Sequence, residues 1–434
     1  MEAAKQGVAV IIIGSTPFLP LARAQLKALG GPEIPIAEIP HPFSTIGRDE
    51  VRRVAEDCIE RISRLALGNT DSTPAAHGEG CDTARTNGAS RVREITMPED
   101  VVAFNRECEL RRWTDGLPAI PPLRRRVEWM LSGTRRTPGE TIARVAPGFG
   151  VASVERIAVN AVMAGCRPEH FPVLIAVVEA VTDRAFNIQG IQATTGPATP
   201  WIVVNGPLAA RLGFNAGTNC LGQGRWANAT LGRALRLVLQ NIGGAFPAEM
   251  DHATQGQPGK YTFCCAENEA ESPWQPLHAE RGFALHESVV TVIGAASTVD
   301  MNTHADTAED LLRVMADTMT FPACNDYHFS GQPWLIVSPE HAAILNGGGL
   351  SKPAVKRQLW KRSKMKASRF AATDYERAAH TRRGELGPFT PDTRVPISAS
   401  ADDIGIVVAG GAGAHSVYVP SFGISRAVSR KIGN

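Results

Sequence analysis

The sequence predicts an α/β protein. An open, mainly parallel sheet domain is built from both chain ends, and a larger α/β domain lies between them. Three observations carry this reading. Continuous apolar runs such as Val8–Ile13 and Ile404–Ala409 have the pattern of strands buried on both faces. Apolar stripes at helical spacing follow several of them. Glycine-rich turns close the strands at both ends of the chain.

The elements follow in order. Val8–Ile13 is a strand, Phe18–Leu29 a helix ended by Gly30-Gly31, and Ile34–Ile39 a second strand closed by Pro40-His41-Pro42. Arg48–Leu67 has its apolar residues on one face, and Cys58 belongs to that stripe, as a core thiol. Residues 68–98 have almost no large apolar side chain and read as a flexible linker, with His77 and Cys81 as bystanders. The central α/β domain spans 99–399. Within it Val154–Gly165, Pro168–Ala180, Asn228–Ile242, Asp306–Thr318 and Pro353–Lys361 read as helices. Trp201–Val204, Tyr261–Cys265, Ser288–Ile293 and Pro333–Val337 read as strands. The stretch 362–400 reads as a surface excursion. After Ile404–Ala409 comes a turn at 410–416, then a helix to Lys431.

Composition narrows the function. The chain has 434 residues, with 45 Lys+Arg against 43 Asp+Glu, so no basic field exists to attract nucleic acid. Aromatics at 6% give no stacking platform for bases. No run approaches the roughly 18 apolar residues of a membrane span. No signal peptide is expected. The eight cysteines lack a disulfide-scaffold spacing, so free thiols and a cytoplasmic setting are expected.

Five clusters hold the chemistry-bearing residues. The turn Gly410-Gly411-Ala412-Gly413-Ala414-His415-Ser416 offers backbone N–H groups for an anion, with His415 as acid or base and Ser416 beside it. The loop Asn215–Asn228 feeds the best helix; Asn219 and Asn228 are candidate substrate positioners, and Cys220 is a candidate nucleophile near a helix start. Asn160, Cys166 and Arg167 gather at a helix–helix corner, where Arg167 suits a carboxylate. Arg233 and Lys260 are candidate anion holders, and Glu267 is a candidate general base. Ser351 and Lys352 stand at a helix start that Pro353 marks, which also suits an anion.

His304, Asp306, Cys324, Asp326 and His328 have the donor types of a zinc site, but their spacing matches no standard one, so a zinc hydrolase is kept only as a third reading and no cofactor is certain.

The two ends read together resemble the UGSC-type (seleno)protein family, related to the selenoprotein B subunit of glycine reductase. GVAVIIIGSTPFLPLARAQLKALGGPEIPIAEIPHP resembles the later part of that domain, and IGIVVAGGAGAHSVYVPSFGISRAVSRKI the earlier part. The order is reversed, which implies a circularly permuted domain with a large insertion. The alignment puts Ala414 at the position of the reactive selenocysteine or cysteine, and His415-Ser416-Val417 at Gly-Ser-Cys. The family's thiol or selenol chemistry is thus not carried by this turn.

The expectation is an enzyme acting on a small anionic metabolite. It makes or breaks a C–S or C–N bond, in a site between the terminal and central domains. It acts as a lyase or a thiol-dependent transferase, and is a homo-oligomer. The alternative is a non-catalytic binding subunit that has lost its nucleophile and works with a thiol or selenol partner protein.

Overall fold

The computed structural model describes residues 2–28, 34–41, 43, 46–66 and 92–433. His77 and Cys81 lie outside the described residues. The α/β class holds, and fourteen strands fall into five sheets.

Near the N-terminus, β1 (Ile12–Ser15) and β2 (Ile36–Ile39) pair in parallel. The helices Leu19–Ala28 and Arg48–Ala66 accompany them, with Cys58 buried as its stripe predicts.

The body is built on two four-stranded sheets. The first has β14 (Val428–Lys431), β7 (Val289–Ala295), β5 (Thr199–Asn205) and β6 (Cys264–Ala266) in that order. Only its β5–β6 pair is parallel. The second has β12 (Gly405–Val408), β9 (Trp334–Val337), β13 (His415–Val419) and β8 (Val299–Asn302). Its β12–β9 pair is parallel and the others antiparallel.

Alternation along each strand explains how the sheets stack. Trp201, Val203, Ile293 and Cys265 point one way, and meet Trp334, Ile336, Val407 and Val419 of the other sheet. Trp201 and Trp334 cross edge-to-face at 6.1 Å between ring centroids, an arrangement worth about 0.5–1.5 kcal/mol beyond burial. The alternate residues Ile202, Val204, Val290 and Val292 pack on the helices Val154–Ala164, Phe171–Val181 and Trp226–Asn241. Leu335, Val337, Ile406 and Tyr418 pack on Ala308–Thr318, Pro339–Gly347 and Lys352–Arg362. The layers are therefore helices, sheet, sheet, helices. Cys264 and Cys265 face opposite ways, as the alternation predicts.

Three expectations are corrected. Among the described residues the two chain ends do not share a sheet: β1 and β2 pair with each other, while residues 405–431 supply β12, β13 and β14 to the body. Val407 and Val419 instead fill the seam between the two large sheets. The expected C-terminal helix is replaced by β13 and β14, because Val417, Tyr418 and Val419 alternate between two buried cores. The stretch 362–400 is not a surface excursion. It pairs β10 (Lys364–Lys366) with β11 (Arg394–Pro396) and buries Met365, Phe370, Val395 and Ile397. Arg382 is buried there too, donating to the Tyr327 and Pro396 carbonyls and pairing with Glu385.

Of the expected linker, residues 92–98 run as extended chain against the body, with Val92 N–H donating to Glu155.

Candidate active site

β5 and β6 run in parallel, so their carboxyl ends emerge side by side, where open α/β sheets place their ligands. Asn205 ends β5. Glu267 follows β6 directly. Asn268 N–H then donates to the Val408 carbonyl at 2.7 Å, which ties this edge to the end of β12. From the other half of the body, the helix Lys352–Arg362 brings Lys352 and Lys356 against the short helix Leu277–Glu280.

Glu267 Oε2 accepts from Asn205 Nδ2 and from the Leu277 N–H, both at 2.6 Å. Its Oε1 lies 3.7 Å from Lys352 Nζ. Lys352 Nζ is also 3.2 Å from Glu280 Oε2. It makes ion-pair contacts but no hydrogen bond with either carboxylate. Glu280 pairs in turn with Lys356. Glu269 Oε1 accepts from Asn205 and from the Gly206 N–H, 3.7 Å from His278 Nδ1. Gly206 holds φ +82°, and a Cβ there would strike the Glu287 carbonyl, so glycine is required at the turn that aims this N–H.

This cluster is buried and incompletely paired. Asn205 and His278 are 0% exposed, Glu267 3% and Lys352 4%. Asn205 Oδ1, Glu267 Oε1, Lys352 Nζ and both ring nitrogens of His278 have no hydrogen-bond partner. Buried polar atoms are paired in the great majority of cases, so this concentration of orphans makes the cluster the candidate site. Burial pushes the Glu267 carboxyl above its ordinary value, outweighing the pull of Lys352. Burial also acts upward on Glu280, but Lys352 and Lys356 outweigh it and hold that carboxyl low. Two neighbouring carboxyls are thus driven apart, the arrangement that separates an acid from a permanent anion. Leu277, Glu280 and Lys356 also line a cavity of about 670 Å³ that opens beside the cluster.

Sequence reading found Glu267, Lys352 and Ser351 separately, and the fold brings the first two together. Ser351 occupies the N-cap position but makes no capping bond and is exposed. Asn205, His278, Glu280 and Lys356 were missed. Asn205 carried a signal, because the polar Asn-Gly-Pro stop ends a buried strand where ligands bind.

The other candidates are placed elsewhere. Asn219 sits in a left-handed turn, φ +58°, and its amide donates to the Gln223 carbonyl. Asn228 is not a helix cap: it lies inside Trp226–Asn241 and clips the loop, donating to the Asn215, Cys220 and Cys264 carbonyls. Cys220 is buried in the seam between the sheets, its thiol lowered by a hydrogen bond to Cys265. Cys166 is buried, donates to the Thr230 carbonyl, and is pushed up to about 12, so it is a core thiol. Asn160 ties two helices by accepting from Asn241. Arg167 is exposed and stacks 5.2 Å over Trp226. Arg233 forms a two-pronged pair with Asp115, and Lys260 pairs with Asp251.

His415 is also exposed, paired with Asp300 at 3.1 Å, and faces no cavity wall of the cluster. Ser416 turns inward and is buried. Its hydroxyl meets His341 Nδ1 at 2.7 Å and accepts from the Ser338 N–H, while His341 Nε2 lies 3.1 Å from the Thr303 carbonyl. Every polar atom of that network is used, so it locks β13 to the next helix. The zinc set is dispersed. Asp326 is enclosed by Tyr418, Ser421 and Cys324, His328 meets the Pro322 carbonyl, and His304 and Asp306 are exposed. Among the described residues no group of three or more His, Cys, Asp or Glu is placed to hold a metal. Among the same residues, no helix is long and apolar enough to cross a membrane.

The comparisons with known proteins speak to the N-terminal part. Residues 1–68 match the model of the UGSC family. The similarity lies in that N-terminal segment. That segment contains β1, β2 and their helices, and Phe18 beyond β1 packs on His252 of the body with ring centroids 5.1 Å apart. No curated protein and no solved structure matches the chain.

Proposed function

We propose that the protein is an enzyme that makes or breaks a C–N or C–S bond of a small polar metabolite by proton transfer at the buried Glu267–Lys352 pair, beside the cavity that Glu280 and Lys356 line. The observation that carries this is Glu267 itself: a buried carboxyl, raised above its ordinary value, with one oxygen free of any hydrogen-bond partner. In the cleavage direction the Glu267 carboxylate takes the proton from the carbon next to the C–N or C–S bond, the C–H electrons form a C=C bond, and the departing nitrogen or sulfur leaves with its bonding pair and takes that proton back from Glu267. Lys352 then faces the carboxylate left behind. Asn205 holds Glu267 Oε2 in place. His278 and Asn205 Oδ1 are free to orient the metabolite.

The cavity does not favour a strongly anionic molecule. Asp183, Glu280, Asp402 and Asp403 line it against Arg281, Lys356 and Arg430. The metabolite expected there is therefore polar with little net charge. No cysteine takes part in this reading.

Incubation of the intact protein with a small-molecule cell extract, followed by mass spectrometry, tests it. Wild type and His415→Ala should deplete the same compound, and Glu267→Gln should not. A folded Glu267→Gln protein with the wild-type rate would overturn the proposal.

A further inference from the structure

A second cavity lies at the other end of the first large sheet, beside the UGSC segment. Thr199 starts β5 on that side and Asn205 ends it on the Glu267 side, roughly 20 Å away along a seven-residue strand. The cavity measures about 1090 Å³, and Arg236, Lys260, Asp251, His252 and Asp115 are among the residues that line it.

Most of its charges are answered in place. Lys260 pairs with Asp251, and Asp115 with Arg233. Arg236 differs. It is 8% exposed and, among the described residues, joins no ion pair. Its three hydrogen bonds go to neutral acceptors: the Lys260 carbonyl at 2.8 Å, Gln192 Oε1 at 3.3 Å and Thr199 Oγ1 at 3.2 Å. A guanidinium has about five N–H donors, so two remain. Gln192 is 1% exposed, and its Nε2 has no partner at all. His252 Nε2 is likewise buried and unpartnered. An unpaired buried cation beside unused donors is the arrangement that an acidic group completes.

We propose that this cavity binds a small carboxylate of single negative charge, seated on Arg236, the buried cation among its lining residues that joins no ion pair. A polyanion fits worse, because Glu109, Asp115 and Asp251 line the cavity and match its three lining cations one for one. The site reaches the UGSC segment through His252, which touches Phe18, and Phe18 touches His41 at 5.8 Å. Ser15 Oγ lies 3.5 Å from His41 at the carboxyl end of β1. The inference stands apart from the Glu267 reading.

Titration calorimetry of the intact protein with acetate, glycine, lactate and sulfate tests it. At least one of the three carboxylates should bind saturably and more tightly than sulfate. Arg236→Gln should weaken that binding at least about tenfold, and Glu267→Gln should leave it unchanged. Because Arg236 also braces its neighbours, the His252 ring resonance in wild type provides a second measurement: it should move during the carboxylate titration. Absence of saturable carboxylate binding, preference for sulfate, binding indifferent to Arg236→Gln, or a His252 signal that stays still would each overturn the proposal.

Discussion

Lys352 Nζ stands 3.7 Å from Glu267 Oε1, and neither atom has a hydrogen-bond partner. The two residues come from opposite halves of the body. Their meeting is therefore a property of the double-sheet packing rather than of any local motif.

Removing the cation should expose the cost of burying the acid. Lys352→Met leaves Glu267 and Glu280 with less compensation, and should lose on the order of 3 kcal/mol at neutral pH. The loss should shrink as pH falls and Glu267 takes up a proton. Urea denaturation at several pH values measures both effects.

Ser416 and His415 are adjacent and should behave oppositely. Ser416→Ala strands His341 Nδ1 and the Ser338 N–H in the interior, at a cost of about 1–3 kcal/mol. His415→Ala removes an exposed side chain and should stay within about 0.5 kcal/mol of wild type. Thermal melts compare them, and neither change should abolish turnover.

The thiols should divide by burial. Cys166 is pushed up to about 12, and burial pushes Cys264 higher still. Native protein treated with iodoacetamide near neutral pH should leave both unmodified, as read by peptide mass mapping, and Cys166→Ser should keep its activity.

Acid should destabilise the fold through its buried histidines. Burial lowers His170, His328 and His341 below the usual histidine value. The unfolded chain then binds more protons than the folded one once pH drops below about 6.5. Their contribution is present above that value and is lost as pH falls through the lowered ones. Melting temperature should decline over that range, and less steeply in His341→Gln.

Much of this fold could be read in the sequence, and the reasons are visible in particular elements. The helices Val154–Ala164 and Trp226–Asn241 carry clean apolar stripes, so periodicity found both within two residues. β13 was read as a helix because a glycine turn led into it, although Val417-Tyr418-Val419 has a strand's composition. The site was legible only in parts. Glu267 and Lys352 stood out by type, but 85 positions separate them, and only the packing of one sheet on the other joins them. Arg233 stands out in the sequence as an anion holder, and only the fold shows that Asp115 already pairs with it while Arg236 hydrogen-bonds neutral acceptors.

The most direct test of the account is the titration of Glu267 in protein labelled with carbon-13 at glutamate carboxyls, using Glu267→Gln to assign the signal. The account predicts a midpoint above the ordinary glutamate value of about 4.3, rising further in Lys352→Met. A midpoint at or below that value, unmoved by the loss of Lys352, would contradict it.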